Sequence, residues 1–387
     1  MFLAMTDTTQ RRLFLFIISS LWIGIGLHAQ TDSIATVTDS VTPNKISRWD
    51  SLFDWNFLAV PTIAYQPETN WSFGLAGAYY FKLNDEKTSD IGFDMAYTLN
   101  KQWNVNVLST MYFGGNKRWF MYSNVGFKRY PDLFYGIGNR ANQLLATPIH
   151  YSSDNVYLTA QPQYYITDHW IVGANITLRW EQASTTANLD SIGAFCSTSG
   201  LEKPYFMVGL GGIISYDSRD QQFYPSRGIF FKTVASYYEP YLGSTYRMGK
   251  ISADFRHFVP IYKELVFAWQ AYTEWALGNE KPFQLLPTLG GMDVLRGIRR
   301  GTWSDDVMMA LQAELRIPIW RFLKGSIFSS IGDVYNLDNW QWSTPKIGYG
   351  AGLRVALNKA KVNVRFDVAR QNYDNNWSFY LTIKEAF

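Results

Sequence analysis

After residue 57, apolar and polar residues alternate with a period of two in most segments of the chain. In 169–182, for example, Trp170 and Trp180 lie on an apolar face, and Asn175 and Arg179 lie on the opposite face. Successive side chains of a β-strand point to opposite faces of the sheet, so this pattern predicts strands with one apolar and one polar face. Such strands suit either a half-solvated sheet or the wall of a membrane barrel.

The segments with this character number about sixteen, and an even number is usual for a bacterial single-chain barrel. They are 57–65, 71–82, 90–100, 102–113, 117–128, 153–166, 169–182, 204–217, 227–239, 245–259, 263–277, 305–318, 323–335, 346–358, 360–371 and 376–387. In such barrels short turns face the periplasm and long loops face outside. The predicted short turns are Asn100-Lys101, Asp168-His169 and Lys359-Ala360. The predicted external loops are 131–151, 183–203 and 278–304.

Two features favour a closed barrel over a soluble β-sandwich. Apolar faces often end in aromatic residues, as Trp377 and Phe387 do in the segment 376–387, and aromatic girdles mark the two interfaces of a membrane. The opposite faces carry charge in the middle of long segments, including Arg365 and Asp367. A barrel with a wet interior accommodates these charges and leaves no strand edge unpaired. The prediction is therefore an all-β, transmembrane antiparallel β-barrel.

Composition changes this picture little. The 387 residues are 47% hydrophobic and 17% aromatic, with a mean hydropathy of -0.15. That average would suit a soluble protein as well, and no run after residue 30 approaches the ~18 apolar residues of a membrane helix. The formal net charge of +3 is too small to indicate a nucleic-acid partner.

The N-terminus has the features of a secretory signal peptide. Arg11 and Arg12 precede the apolar run Leu13–Leu27, and the small residue Ala29 follows it. A basic region, an apolar region of this length and a small residue at the cleavage point predict a cleavable signal peptide over residues 1–29. The alternative, a single membrane anchor, is disfavoured because the run is short and no basic flank follows it.

Residues 30–54 are polar and are predicted to form a short periplasmic tail, since independent domains rarely fall below ~40–50 residues. The barrel is accordingly predicted over residues 55–387. The single cysteine, Cys196, excludes an intrachain disulfide.

The segment Gly290–Gly301, here called the glycine–arginine loop, holds four glycines and three arginines between two long alternating segments. Glycine permits a positive φ, and an arginine fork can dock on a carboxylate. Alternation in 305–318 directs Glu314 to the polar interior face. We therefore predict that this extracellular loop folds inward and that Arg296 pairs with Glu314. The alternative is that Arg296 is a solvated loop arginine.

Catalytic chemistry finds little support in the sequence. The predicted mature chain has three histidines, His150, His169 and His257, and none lies in a cluster with metal-ligand spacing. We predict no enzyme activity, no metal and no cofactor. A hydrolase assembled from residues on distant strands stays open as an alternative.

Four stretches resemble the Omp85 superfamily, whose members include the barrel-assembly protein and the D15 surface antigens. They are Tyr216-Asp217-Ser218-Arg219-Asp220 followed by Phe223, Pro225 and Gly228; Leu295-Arg296-Gly297-Ile298; Ala313-Glu314-Leu315-Arg316-Ile317-Pro318; and Phe328-Ser329-Ser330-Ile331-Gly332-Asp333-Val334-Tyr335. They occur in the family's order. The resemblance covers residues ~205–387 well and the opening hairpin loosely.

The resemblance implies roles for individual residues. The loop anchor would consist of Leu295, Arg296, Gly297 and Ile298, with lumenal partners at Glu314 and Ser330. The family has an aspartate at the position of Ser330 and an aromatic residue at that of Ile298, so both departures imply a looser anchor. The strand-turn motif would consist of Asp217, Arg219, Asp220, Pro225 and Gly228. Phe387 would be the C-terminal signal that the outer-membrane assembly machinery reads.

The resemblance further implies an outer-membrane protein of a Gram-negative bacterium. Members normally carry periplasmic POTRA domains, and 30–54 leaves no room for one, so a barrel-only member is implied. Its implied function is to insert or translocate outer-membrane proteins without covalent chemistry, through a seam between 57–65 and 376–387 that opens sideways. The implied partners are outer-membrane lipid, nascent outer-membrane proteins and periplasmic assembly factors. Alternatives are a passive pore, a scaffold for separate partners and, with less support, an outer-membrane hydrolase.

Overall fold

The computed structural model describes residues 57–82, 88–113, 118–140, 144–185, 203–221, 224–320, 323–356, 363–373, 376–383 and 385–387. The predicted signal peptide 1–29 and the predicted tail 30–54 lie outside these residues. So do Cys196, Phe223 and the predicted turn at Lys359-Ala360.

The described chain folds into a closed barrel of sixteen antiparallel strands, which confirms the predicted fold class. The wall strands are β1 (Phe57–Gln66), β2 (Asn70–Lys82), β3 (Thr88–Thr98), β4 (Trp103–Phe113), β5 (Trp119–Gly136), β6 (Leu144–Tyr165), β7 (Trp170–Thr185), β8 (Tyr205–Asp217), β9 (Gly228–Tyr238), β10 (Met248–Tyr262), β11 (Leu265–Leu277), β14 (Val307–Trp320), β15 (Leu323–Tyr335), β16 (Lys346–Ala356), β17 (Asn363–Gln371) and β18 (Trp377–Ile383). Two short strands, β12 (Thr288–Leu289) and β13 (Trp303–Ser304), pair with each other in the connection between β11 and β14. Within the described residues, no helix is long and apolar enough to cross a membrane.

The alternation of residues sets which side chains face outward and which line the lumen. In β18, Trp377 and Phe379 are exposed on the outer surface, whereas Ser378 and Tyr380 are buried on the inner one. The polar face of each strand therefore lies inside the barrel, where it must find partners within the protein or in water.

Neighbouring strands run in opposite directions, so successive connections along the chain lie at alternate ends of the barrel. We call the end that carries residues 278–306 the loop end. The turn at Asn100-Lys101 also lies at the loop end, so its predicted position on the side opposite the long loops is wrong. The turn at Asp168-His169 lies at the opposite end. The prediction used the length of each turn to assign it to one end of the barrel, but the order of the strands determines that end directly.

The predicted external loop 131–151 is for the most part strand. β5 and β6 pair from Trp119 opposite Tyr164 to Phe134 opposite Ile149, which extends this hairpin at the loop end. Phe134 packs on Phe283 of the 278–306 connection, with ring centroids 4.8 Å apart. At Phe134 the extension therefore packs on protein, where the strict alternation by which the strands were predicted is not required.

The barrel closes through a short ladder between its first and last strands. Among the described residues, β1 and β18 pair only at Tyr65 opposite Leu381. By contrast, β1 pairs with β2 along its whole length, from Phe57 opposite Tyr79 to Gln66 opposite Asn70. The β1–β18 seam is thus the weakest ladder in the described wall.

The connection 278–306 folds back into the barrel rather than away from it. Its apolar side chains are buried against apolar residues on the inner wall, and together they form one cluster: Leu289, Leu295, Ile298, Trp303, Met308, Ala310 and Val334. Burial of this apolar surface stabilises the inward fold.

Candidate functional site

The glycine–arginine loop lies directly on the inner wall because two glycines leave room for its backbone. Gly297 has φ +104°, and a Cβ there would lie 2.9 Å from the main-chain oxygen of Arg370. On the wall, a Cβ at Gly348 would lie 2.1 Å from the main-chain oxygen of Arg296. Rotation of a side chain cannot relieve contacts with backbone, so both positions require glycine.

Arg296 is completely buried between two carboxylates and an aromatic ring. Its Nη2 donates to Oε2 of Glu314 at 2.9 Å, and its Nη1 donates to Oδ2 of Asp367 at 2.8 Å. The guanidinium carbon lies 3.4 Å from the ring centroid of Phe328. A planar guanidinium can bind two carboxylates and stack on a ring at the same time. The loop is thereby joined to β14, β15 and β17.

Ser330 does not act as the second partner of Arg296. Its hydroxyl instead donates to the main-chain oxygen of Gly348 at 3.3 Å. The second carboxylate is Asp367, which alternation also places inside but which lies on β17, two strands beyond Ser330. A different strand thus supplies a second carboxylate to Arg296.

A second buried arginine, Arg354, bridges the same two carboxylates. Its Nη1 lies 2.5 Å from Oδ1 of Asp367, and its Nη2 lies 3.2 Å from Oε2 of Glu314. Its Nε donates to Oε2 of Glu385 at 3.2 Å. Glu314 and Asp367 thus each accept from more than one guanidinium, which offsets the cost of removing these charges from water.

Arg316 connects this network to the end of the barrel opposite the loop end. Its Nε lies 3.3 Å from Oε1 of Glu314. Its Nη1 and Nη2 donate to the main-chain oxygens of Pro225 and Phe387, at 3.0 and 2.9 Å. Arg365 joins the same network, because its Nε lies 3.4 Å from Oδ2 of Asp367. We call the whole network the arginine–carboxylate cluster; its members are Arg296, Arg316, Arg354, Arg365, Glu314, Asp367 and Glu385.

The predicted strand-turn residues shape the connection between β8 and β9. Arg219 Nη2 pairs with Asp217 Oδ2 at 2.6 Å, and Asp220 Oδ1 accepts the N–H of Ser226 at 2.9 Å. Gly228 has φ +106°, where a Cβ would lie 2.3 Å from the main-chain oxygen of Ser218. These contacts hold the turn in the shape that presents the oxygen of Pro225 to Arg316.

Phe387 was predicted on the outer, apolar face of the last strand, and this position is wrong. β18 ends at Ile383, and Phe387 is buried inside the barrel with Ala386, Phe258, Val266 and Ala268. The period of two applies only while the chain remains a strand, so the parity argument fails beyond that point.

The opposite side of the lumen is open rather than packed. A cavity of about 770 Å³ lies between the glycine–arginine loop and the inner faces of β5, β6, β7, β10 and β11, and its wall carries charges such as Lys128, Arg179, Lys250, Asp254 and Glu274. Lys250 forms no ion pair of hydrogen-bonding length with a described residue, and Glu274 attracts it only at longer range. This side of the lumen can hold water or polar solutes.

The three histidines are not brought together. His150 lies in β6 near the loop end, and His169 lies in the turn at the other end, where its Nδ1 is 3.0 Å from the main-chain oxygen of Asp217. His257 lies in β10 beside the ring of Trp269. Among the described residues, no group of three or more His, Cys, Asp or Glu side chains could hold a metal ion.

Comparison with known proteins identifies relatives of this fold. A search of curated proteins finds no match. The barrel is similar to BamA from Haemophilus ducreyi lacking POTRA domains 1–3, at 13% identity, with a TM-score of 0.61 over 84% of this chain and 69% of that one. It is also similar to CdiB from Acinetobacter baumannii, at 12% identity, with a TM-score of 0.57 over 84% of this chain and 59% of that one. CdiB from Escherichia coli gives 11% identity and a TM-score of 0.58, over 92% of this chain and 68% of that one.

The profile of the Omp85 superfamily domain matches residues 122–387, which is more than half of the chain. The match includes the glycine–arginine loop and every member of the arginine–carboxylate cluster. A β-barrel of this family indicates an outer-membrane protein. The chain belongs to the Omp85 superfamily.

Proposed function

We propose that this protein assists the insertion or translocation of other outer-membrane proteins, without covalent chemistry. The observation that carries the proposal is the β1–β18 seam, which pairs at Tyr65 and Leu381 alone within the described strands. Separating so short a ladder breaks few hydrogen bonds, whereas every other neighbouring pair in the described wall is joined over many residues. The unpaired edges of β1 and β18 could then pair with an incoming strand.

The packed half of the lumen supports this proposal. If the wall opens at one seam, the remaining strands must keep their curvature without a closed ring. The arginine–carboxylate cluster joins β14, β16 and β17 through buried charges, and Arg296 adds the loop to them. These ion pairs would hold the C-terminal half of the barrel together while the seam is open.

Further parts of the proposal concern the ends of the chain and its partners. Residues 1–29 would direct export and be removed, residues 30–54 would stay in the periplasm, and Phe387 would serve as a signal for assembly of this barrel. The partners would be outer-membrane lipid, nascent outer-membrane proteins and periplasmic assembly factors. We expect no catalytic role for His150, His169 or His257.

Depletion of the protein tests the function directly. The levels of outer-membrane β-barrel proteins should fall within a few generations, while periplasmic proteins stay constant. Restoring the gene should restore the levels, and restoring a variant with the seam closed by a Tyr65→Cys, Leu381→Cys cross-link should not. Unchanged levels after depletion would reject this function and leave the fold unaffected.

A passive pore is the second candidate, and the open cavity of about 770 Å³ is the observation that favours it. A pore would give steady ion conductance in planar bilayers, and the cross-linked seam would leave that conductance unchanged. Insertion or translocation through the seam should instead be lost in the cross-linked variant, because only that process needs β1 and β18 to separate.

A further inference from the structure

The glycine–arginine loop contacts both sides of the β1–β18 seam. On one side, the N–H of Gly297 donates to the hydroxyl of Tyr380 at 3.0 Å, and the hydroxyl of Ser378 donates to the oxygen of Gly297 at 3.2 Å. Tyr380 and Ser378 lie on the inner face of β18 and are buried. The loop backbone at Gly297 is therefore bonded to the last strand through both of its polar groups.

On the other side of the seam, the same loop reaches the hairpin of β1 and β2. The N–H of Arg300 donates to Oε1 of Glu68 at 2.6 Å, and Glu68 lies in the turn that joins these two strands. Asn100 and Gln102 donate to the main-chain oxygen of Glu68 at 2.9 and 3.3 Å, which fixes the turn that presents its side chain.

We infer that residues 297–300, here called the clasp segment, hold the seam closed and that Glu68 is the point of release. Within four residues this segment bonds to β18 and to the β1–β2 turn. Its own backbone hydrogen bonds thus supplement a wall ladder that pairs only at Tyr65 and Leu381 in the described strands. The link of this clasp to protein insertion rests on the function proposed above.

The two ends of the clasp segment differ in how firmly they are held. On the β18 side, the neighbouring Arg296 forms buried ion pairs with Glu314 and Asp367, which keep the loop on the C-terminal strands. On the β1 side, the loop is held by the Arg300 bond to Glu68 and by an ion pair between Arg299 and Asp132 at 3.3 Å. When the seam opens, the loop should therefore stay with β14–β18 and separate from Glu68.

Hydrogen–deuterium exchange of the full chain in lipid bilayers tests the clasp. In Glu68→Ala, peptides that cover β1 and β18 should exchange roughly fivefold faster than in the unmodified protein, as expected for the loss of one hydrogen bond across the seam. Glu68→Gln keeps an acceptor for the N–H of Arg300 and should exchange at the unmodified rate. Peptides of β14 and β15 should not change in either variant, because Arg296 keeps the loop there.

Asp338→Ala is the matched control, since it also removes a carboxylate from a connection at the loop end and Asp338 is exposed. It should leave exchange in β1 and β18 unchanged.

Tyr380→Phe removes the acceptor on the other side of the seam and should accelerate exchange in the same peptides. This variant tests the clasp if Glu68→Ala does not fold.

Equal exchange in β1 and β18 for the unmodified protein and a folded Glu68→Ala variant would overturn the clasp, whatever the protein does to its clients. Accelerated exchange combined with normal levels of other outer-membrane proteins after depletion would support the clasp and reject the proposed function. The two failures are thus distinguishable.

Discussion

The two halves of the lumen differ in how their charged side chains are stabilised. Along β14 to β17, Arg296, Arg354, Glu314 and Asp367 are all fully or almost fully buried, and each charge contacts a charge of opposite sign. Along β5–β7, β10 and β11, Lys250 faces an open cavity without an ion pair of hydrogen-bonding length among the described residues, although Arg179 and Glu181 pair there at 2.7 Å. The packed side therefore depends on its partners, because an ion left alone there loses the compensation for its desolvation.

This difference predicts which substitutions should destabilise the barrel and which it should tolerate. A charge that faces a polar cavity keeps a part of its hydration, so changing it disturbs little. The glycine–arginine loop belongs to the packed half through Arg296, and its clasp segment extends to the other half at Glu68. Substitutions in the packed half, at the clasp segment and on the cavity side should therefore change the stability of the barrel by different amounts.

The largest effect is expected for Arg296→Ala. Removal of this guanidinium leaves Glu314 and Asp367 buried with Arg354 as their main remaining partner, so the barrel should lose about 3 kcal/mol, the lower part of the range for a broken buried ion pair. The temperature at which the folded band disappears on semi-native gels should fall clearly. Arg296→Lys keeps the charge but cannot bind two carboxylates in one plane, so its transition temperature should lie between those of the alanine variant and the unmodified protein. An unchanged transition in the alanine variant would mean that the loop is not held through this residue.

A smaller loss is expected for Gly348→Ala. The added methyl group would lie 2.1 Å from the main-chain oxygen of Arg296, so either the loop or β16 must move, at a cost of about 1–3 kcal/mol. Gly212→Ala is the matched control on another wall strand, because its nearest neighbour is the oxygen of Gly173 at 3.9 Å. If both variants show the same gel transition as the unmodified barrel, the close contact between loop and wall does not contribute to stability.

Most of the wall could be predicted from sequence, because a strand between lipid and a polar lumen must alternate. The prediction was wrong where that constraint ends. At the loop end of the hairpin β5–β6, Phe134 packs on Phe283, and the sequence there does not alternate with a period of two. Phe387 follows the last strand and turns into the lumen, where parity no longer determines its direction.

The site could be predicted in part. Parity alone directs Glu314 inward, and the composition of the glycine–arginine loop indicated an inward fold. Asp367 also points inward by parity, but it is 71 residues from Arg296 in the chain. Which inward residues meet depends on strand stagger and on the path of the loop, and neither is encoded in a local pattern. For the same reason the contact of Glu68 with Arg300 could not be predicted.

The stability of the barrel should depend on pH through Glu68. Burial is the largest influence and raises the pKa of this carboxyl above its ordinary value of 4.5, against the opposing effects of the Arg300 N–H and of Arg299, with Asp132 adding to the increase. A carboxyl with a raised pKa in the folded state contributes its full stability below the ordinary pKa and loses it as pH rises through the folded value. Glu68→Gln should remove this part of the pH dependence and be at least as stable as the unmodified protein at neutral pH. Gel transitions measured from pH 4 to pH 8 check this, and a variant that is less stable at pH 8 would contradict it.

The smallest effect is expected for Lys250→Met on the open side of the lumen. Lys250 faces the cavity of about 770 Å³ and lacks a hydrogen-bonded carboxylate among the described residues, so no buried partner is left alone when its charge is removed. The gel transition should correspond to a change within about 0.5 kcal/mol, as for substitutions away from packed or paired positions. If Lys250→Met instead destabilised the barrel as much as Arg296→Ala, a charge that faces the cavity would matter as much to stability as the buried ion pairs of the other half. The contrast between a packed half and an open half of the lumen would then have to be abandoned.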